Sequence, residues 1–172
     1  MTAAHNIPTV ETDRLILRAP ALADLPALTE FFASERSRFV GGPRDAFAAS
    51  RGMMAIFGSW ALHGFGMWYI AERASDAFLG ATGILFAPGW DEPELAWYVT
   101  EEAEGRGIAS EAVTAARAYA ARHLRLDRVA SYPAPDNARS IALATRLGAT
   151  FERPGTLMGA PCHVYRHPQV AA

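Results

Sequence analysis

Between Glu94 and Ala112 the chain reads Glu94-Leu-Ala-Trp-Tyr-Val-Thr-Glu-Glu-Ala-Glu-Gly-Arg-Gly-Ile-Ala-Ser-Glu-Ala112, an apolar strand-like run that enters a glycine loop and opens directly into a helical pattern. Gly105 and Gly107 take side chains out of the turn, so successive backbone N–H groups can converge on one oxygen. The helix that follows adds the unpaired N–H groups and positive dipole end of its first turn. A strand, a loop and a helix joined in this way build an anion site, and its natural ligand is a phosphate or pyrophosphate. A Gly-x-Gly loop is a weak signal by itself, so the weight falls on what surrounds it.

Thr12-Asp-Arg-Leu-Ile-Leu-Arg18 alternates briefly around Leu15 and Leu17 and is stopped by Pro20, which predicts a first strand. Asp24 begins a helical pattern with Leu25, Leu28, Phe31 and Phe32 on one face. Gly41-Gly42-Pro43 breaks the chain before a second helical run carrying Phe47, Met54, Phe57 and Ala61. The segments 66–73 and 78–86 predict a hairpin across the turn residues Ala74-Ser-Asp-Ala77. After the strand from Leu95 to Val99 and the glycine loop, the next helix has the inner face Ala109, Ala112, Val113, Ala116, Ala120 and Leu124. Its alanines let it lie close to the sheet. A strand over 128–132 follows, then a helix capped at Asp136-Asn137 and closed by Gly148, then two strands near 150–153 and 163–166. Strands on both sides of the central helix predict an α+β fold: one mixed, mainly antiparallel sheet of about seven strands flanked by about four helices.

The 172 residues suffice for one domain, 1–172, with its core over about 10–167. Hydrophobic residues make up 51% and charged residues 20%, and the net charge of -2 comes without a basic run, which argues against nucleic acid as a partner. No apolar stretch reaches the ~18 residues of a membrane span, and the start lacks a basic region followed by an apolar core. The single cysteine, Cys162, excludes an intrachain disulfide and fits a reducing compartment. A cytoplasmic protein is expected. The five histidines form no spaced cluster with Cys162 or the carboxylates, so no metal is expected, and His63, alone in Trp60-Ala-Leu-His-Gly-Phe65, is not read as a catalyst.

A strand ending Tyr98-Val99, the loop Glu104-Gly-Arg-Gly-Ile-Ala109, a helix, a strand, and Asn137-Ala-Arg-Ser140 before a helix ending Arg146-Leu-Gly148 together resemble the GNAT superfamily of acetyltransferases. The segment 12–18 and the Asn-x-x-Ser form of the last motif look most like its ribosomal-protein N-terminal acetyltransferase branch. The resemblance implies acetyl-CoA as co-substrate and strands splayed at its site. It assigns the pyrophosphate to the backbone of Glu104, Gly105, Arg106, Gly107, Ile108, Ala109 and Ser110. The pantetheine arm would run beside Glu94 to Val99, meeting main-chain groups of Trp97 and Val99, and Asn137 would contact it. Phe39 and Trp68 fall in segments that line the acceptor pocket in similar proteins, although core is the default for both, as for Trp60 and Trp97.

Two positions depart from the family pattern. Glu104 stands where Arg or Gln is common, and is expected to point to solvent with Arg106 partly balancing it. Ala144 stands where many relatives carry a tyrosine that protonates the departing thiolate, and Ser140, one helical turn away on the same face, is the substitute the branch suggests. Glu94 is the candidate general base, directly or through water. Cys162, without a recognisable base partner, is not read as a nucleophile. The implied reaction is direct transfer of acetyl to a primary amine. At pH 7 roughly a tenth of an α-amine is neutral but only a few ten-thousandths of a lysine amine, which favours a protein or peptide N-terminus. The alternatives are a small amine, such as an amino acid, polyamine or drug, and a non-catalytic acyl-CoA-binding module. A homodimer enters by analogy only.

Overall fold

A computed structural model describes residues 7–170. In chain order it holds β1 (Val10–Glu11), β2 (Leu15–Arg18), α1 (Leu25–Ala33), α2 (Ala46–His63), β3 (Met67–Glu72), β4 (Phe78–Leu85), β5 (Glu94–Val99), α3 (Ile108–His123), β6 (Ala130–Ser131), α4 (Ala138–Arg146), β7 (Thr150–Leu157) and β8 (Ala160–Arg166). The eight strands form one sheet in the order β1-β2-β3-β4-β5-β6-β8-β7. Every neighbouring pair is antiparallel except β5 and β6, which are parallel. The expected α+β class and mainly antiparallel sheet are therefore present, with one strand more than the seven anticipated.

The added strand is β1, whose two residues are too few to show a period. Thr12 turns the chain there: its hydroxyl accepts from Leu15 N (3.0 Å) and donates to Glu111 Oε1 (2.6 Å) on α3. The β3–β4 hairpin turns where expected, and the last two strands are longer than their sequence signal and close into a second hairpin. Helix α4 begins with Asn137 Oδ1 accepting from Ser140 N and ends before Gly148 in the left-handed region, φ +83°.

Ala112, Ala116 and Ala120 on α3 are fully buried with Val113, so the alanine face brings α3 close to the sheet as its pattern predicted. Helix α2 differs from expectation. Its buried residues are Ala49, Met53 and Trp60, and the last packs edge-on against Trp68 with ring centroids 4.9 Å apart. Phe47, Met54 and Phe57 are exposed, at 71%, 54% and 39%. Apolar residues occur almost all round this helix, so periodicity could not select the inward face. On β4, Gly80 and Gly83 have φ of +142° and +146°, and a Cβ at either would strike a carbonyl oxygen, that of Tyr98 on β5 or that of Gly66 just before β3.

Candidate active site

The centre of the sheet opens where β5 and β6 meet. Their only paired residues are Glu94 and Ala130; beyond that point β5 continues to Val99 while β6 ends at Ser131 and leads into Pro133. Alternation along β5 turns the peptide groups of Leu95, Trp97 and Val99 to the open side. Ser131 Oγ caps the first of these by donating to Leu95 O at 2.6 Å. That hydroxyl has one proton to give, so the His167 Nε2, 3.0 Å away, donates to Ser131, and His167 Nδ1 faces Arg117 Nη1 at 3.4 Å. Burial, and then the charge of Arg117, push the pKa of His167 down to about 4. The gap is thus braced by a neutral buried imidazole, while the main-chain groups of Trp97 and Val99 face the open edge.

Glu94 lies at the apex of the split. Trp90 Nε1 donates to its Oε2 at 2.6 Å and Tyr132 N to its Oε1 at 3.2 Å. Burial outweighs both hydrogen bonds and pushes the carboxyl up to about 7. Glu94 lines a cavity of about 660 Å³ that also reaches Trp97, Tyr98, Asn137 and Ser140. The structure thus brings Glu94, Asn137 and Ser140, far apart in sequence, to one cavity. The Ser140 hydroxyl makes no hydrogen bond among the described residues, and the fully buried Ala144 sits behind it on α4.

The loop before α3 has the conformation its glycines allow: Gly105 and Gly107 are left-handed, with φ of +71° and +76°. The N–H groups of Gly105, Arg106 and Gly107 have no partner among the described residues, and those of Ile108, Ala109 and Ser110 belong to the first turn of α3, where no intrahelical acceptor exists. Six donors at a helix N-terminus suit a pyrophosphate, and the open edge of β5 suits a pantetheine arm. The residues present therefore fit acetyl-CoA.

Glu104 does not point to solvent. Its carboxylate is held by Arg36 of the 35–40 segment and by Arg139 of α4 at 2.8 Å. Arg106, expected to balance it, pairs with Glu72 on β3 at 2.7 Å instead. The negative charge beside the loop is neutralised by two guanidinium groups that lie 35 and 68 residues away in the linear sequence.

Phe39 lines the cavity but Trp68 does not; it is wholly buried between Trp60 and Tyr119. Trp97 is half-buried on the cavity wall and Trp60 is core. His63 is exposed and stacks on Phe65. Sequence reasoning missed Trp90 and Tyr132, which reach Glu94 from a turn and from the residue just past β6. It also missed that Cys162 lines the same cavity. The Cys162 thiol is pushed up by burial and then by the nearby Glu94, so its thiolate form is suppressed. The turn Pro88-Gly-Trp-Asp-Glu-Pro93 was the available signal for Trp90, since it folds the indole back onto a residue four positions later. Among the described residues no three His, Cys, Asp or Glu side chains are placed to hold a metal ion, and no helix is long and apolar enough to cross a membrane.

Comparison with known proteins agrees with this geometry. Residues 14–150 match the acetyltransferase (GNAT) domain. An acetyltransferase from Agrobacterium tumefaciens superposes with a TM-score of 0.88 at 38% identity, over 95% of this chain and 96% of that one. Two more distant structures share the fold: an acetyltransferase from Salmonella typhimurium that modifies the N-terminal serine of a ribosomal subunit protein (TM-score 0.77, 17% identity, 95% and 100% covered), and a ribosomal α-N-protein acetyltransferase in complex with coenzyme A (0.74, 18%, 93% and 96%). The chain belongs to the GNAT acetyltransferase family. It is an acyltransferase of that type, taking its acetyl group from acetyl-CoA.

Proposed function

We propose that this enzyme acetylates a primary α-amine, by preference the N-terminus of a protein or peptide, with Glu94 as general base. The observation that carries the reading is a half-buried carboxyl, pushed up to about 7, at the apex of the split between β5 and β6 and open to a cavity that can admit an amine. A carboxyl with that pKa is about half ionised at neutral pH and matches a base asked to take a proton from an ammonium near 8.

In the reaction the amine nitrogen attacks the thioester carbonyl, a C–N bond forms as the C–S bond breaks, and the amine proton passes to Glu94. The departing thiolate takes a proton from Ser140 or from water. The loop donors of residues 105–110 and the β5 edge at Trp97 and Val99 hold the two ends of the cofactor arm, with Asn137 beside it, so that the reaction is unimolecular in the bound complex. No covalent enzyme intermediate is required, in keeping with a Cys162 thiol held protonated. The N-terminal preference is supported by the low pKa of α-amines, by the sequence motifs at 12–18 and 137–140, and by the fold shared with enzymes described as acting on ribosomal-protein N-termini. A small α-amine remains the competing acceptor.

The test is an acetyl-transfer assay against a panel of peptides and small amines, run for wild type and Glu94→Gln. The reading expects transfer to peptide α-amines and a loss of roughly 10²- to 10⁴-fold in kcat/KM in the variant. Transfer confined to lysine side chains or polyamines, or an unimpaired Glu94→Gln enzyme, would reject it.

A further inference from the structure

The cavity that Glu94 lines is also lined by two arginines, Arg38 and Arg44. Neither has a carboxylate partner among the described residues, whereas Arg106 and Arg139 each hold one and Arg36 and Arg166 each hold two. Arg44 is half-buried and fixed in orientation. Its Nε donates to Gly41 O at 2.6 Å, its Nη2 to Val40 O at 3.2 Å, and its Cζ lies 5.0 Å from the centre of the Phe32 ring. Those contacts leave Nη1 unused. Arg38 stacks on Phe39 with its Cζ 4.4 Å from the ring centre.

A guanidinium held against an aromatic ring and partly out of water gives up solvation that an anion can restore, and Arg does so with a fork matched to a carboxylate. Glu94 lines the same cavity and contributes a negative charge when ionised. One cavity lined by an ionisable carboxyl and by two arginines without a carboxylate partner among the described residues is complementary to a molecule that carries both charges, and it disfavours a purely cationic one.

We infer that the acetyl acceptor carries a carboxylate close to its amine, with the amine directed to Glu94 and the carboxylate bound by Arg44 and Arg38. This rests on the acetyltransferase reading above and narrows it, since it excludes polyamines and other acceptors without an anionic group. The carboxylate is that of a free amino acid, or the side chain of an acidic residue following a peptide N-terminus.

Two arms separate these sources. In the first, L-amino acids are compared with their own carboxamides as acceptors; in the second, tripeptide amides with Asp or Glu at the second position are compared with their Asn or Gln counterparts. In one arm the acid should be preferred by roughly ten- to a hundredfold in kcat/KM, carried mainly by KM, the loss expected when a charged hydrogen-bonded group is replaced by a neutral one. Arg44→Gln, Arg38→Gln and the double variant should bring the acid down toward its amide, with Arg44→Lys intermediate because it keeps charge without the fork. Arg38→Gln, at an exposed position, covers the case in which Arg44→Gln does not fold. Equal use of acids and amides in both arms, or a preference that survives in the double variant, would overturn the inference while leaving acetyl transfer intact. If acetyl-CoA binds yet no amine is acetylated, the parent reading falls. The subsite is then decided by titrating N-acetyl amino acids and their amides into CoA-loaded protein, where equal binding overturns it and selective binding of the acids supports it.

Discussion

The base role proposed for Glu94 near neutrality rests on a fold that solvates its carboxyl badly and supplies two hydrogen bonds in exchange. Raising pH through about 7 ionises it, so kcat/KM should rise across that range, and the rising limb should vanish in Glu94→Gln. The indole of Trp90 favours the ionised form. In Trp90→Phe the same limb should therefore move to higher pH, with the plateau rate less affected than by loss of the carboxylate; a limb that stays in place would detach the indole from the titration. Glu94, Asn137 and Ser140 were legible from their sequence positions once the family pattern was seen. Trp90, Tyr132, Arg38 and Arg44 were not, because each reaches the cavity from a turn, an irregular segment or an element whose position depends on long-range packing, and local spacing carries no trace of that.

Among the elements, the split between β5 and β6 depends on a brace more than on its strands. Ser131 satisfies Leu95 O on one side and His167 Nε2 on the other, so Ser131→Ala leaves two buried polar groups without partners. That substitution should lower stability by about 1–3 kcal/mol, seen as a reduced denaturant midpoint, and should weaken acetyl-CoA binding through the altered gap. A variant as stable as wild type would show that water or a local shift replaces the hydroxyl. The glycine loop and the alanine face of α3 announced themselves in sequence because backbone freedom and side-chain size are local properties. The inward face of α2 did not, since a helix apolar on most sides can be docked in several ways and Trp68 on β3 selects among them. Nor did the neutralisation of Glu104, which is achieved by arginines from the 35–40 segment and from α4.

Across the whole molecule, two groups that folding draws out of water titrate in nearly the same range with opposite effects on stability. His167 falls from 6.5 to about 4 on folding, so its unfolded form takes a proton first and stability is lost as pH falls through that window. Glu94 rises from 4.5 to about 7, so the folded protein keeps its proton longer and stability is lost as pH rises from 4.5 to 7. Glu94→Gln removes only the second effect. The variant should gain stability relative to wild type as pH rises across that window, by up to about 3 kcal/mol, and a difference that does not change with pH would mean that the carboxyl is ordinary. The most direct measurement of all is calorimetric titration of acetyl-CoA into wild type and into Ser110→Glu, which sets a negative charge on the first turn of α3 without touching the left-handed glycines. Saturable binding by wild type, lost or greatly weakened in a variant with an unchanged circular dichroism spectrum, is the predicted result. Absence of binding by wild type, or equal affinity in the variant, would contradict the anion site from which the function was read.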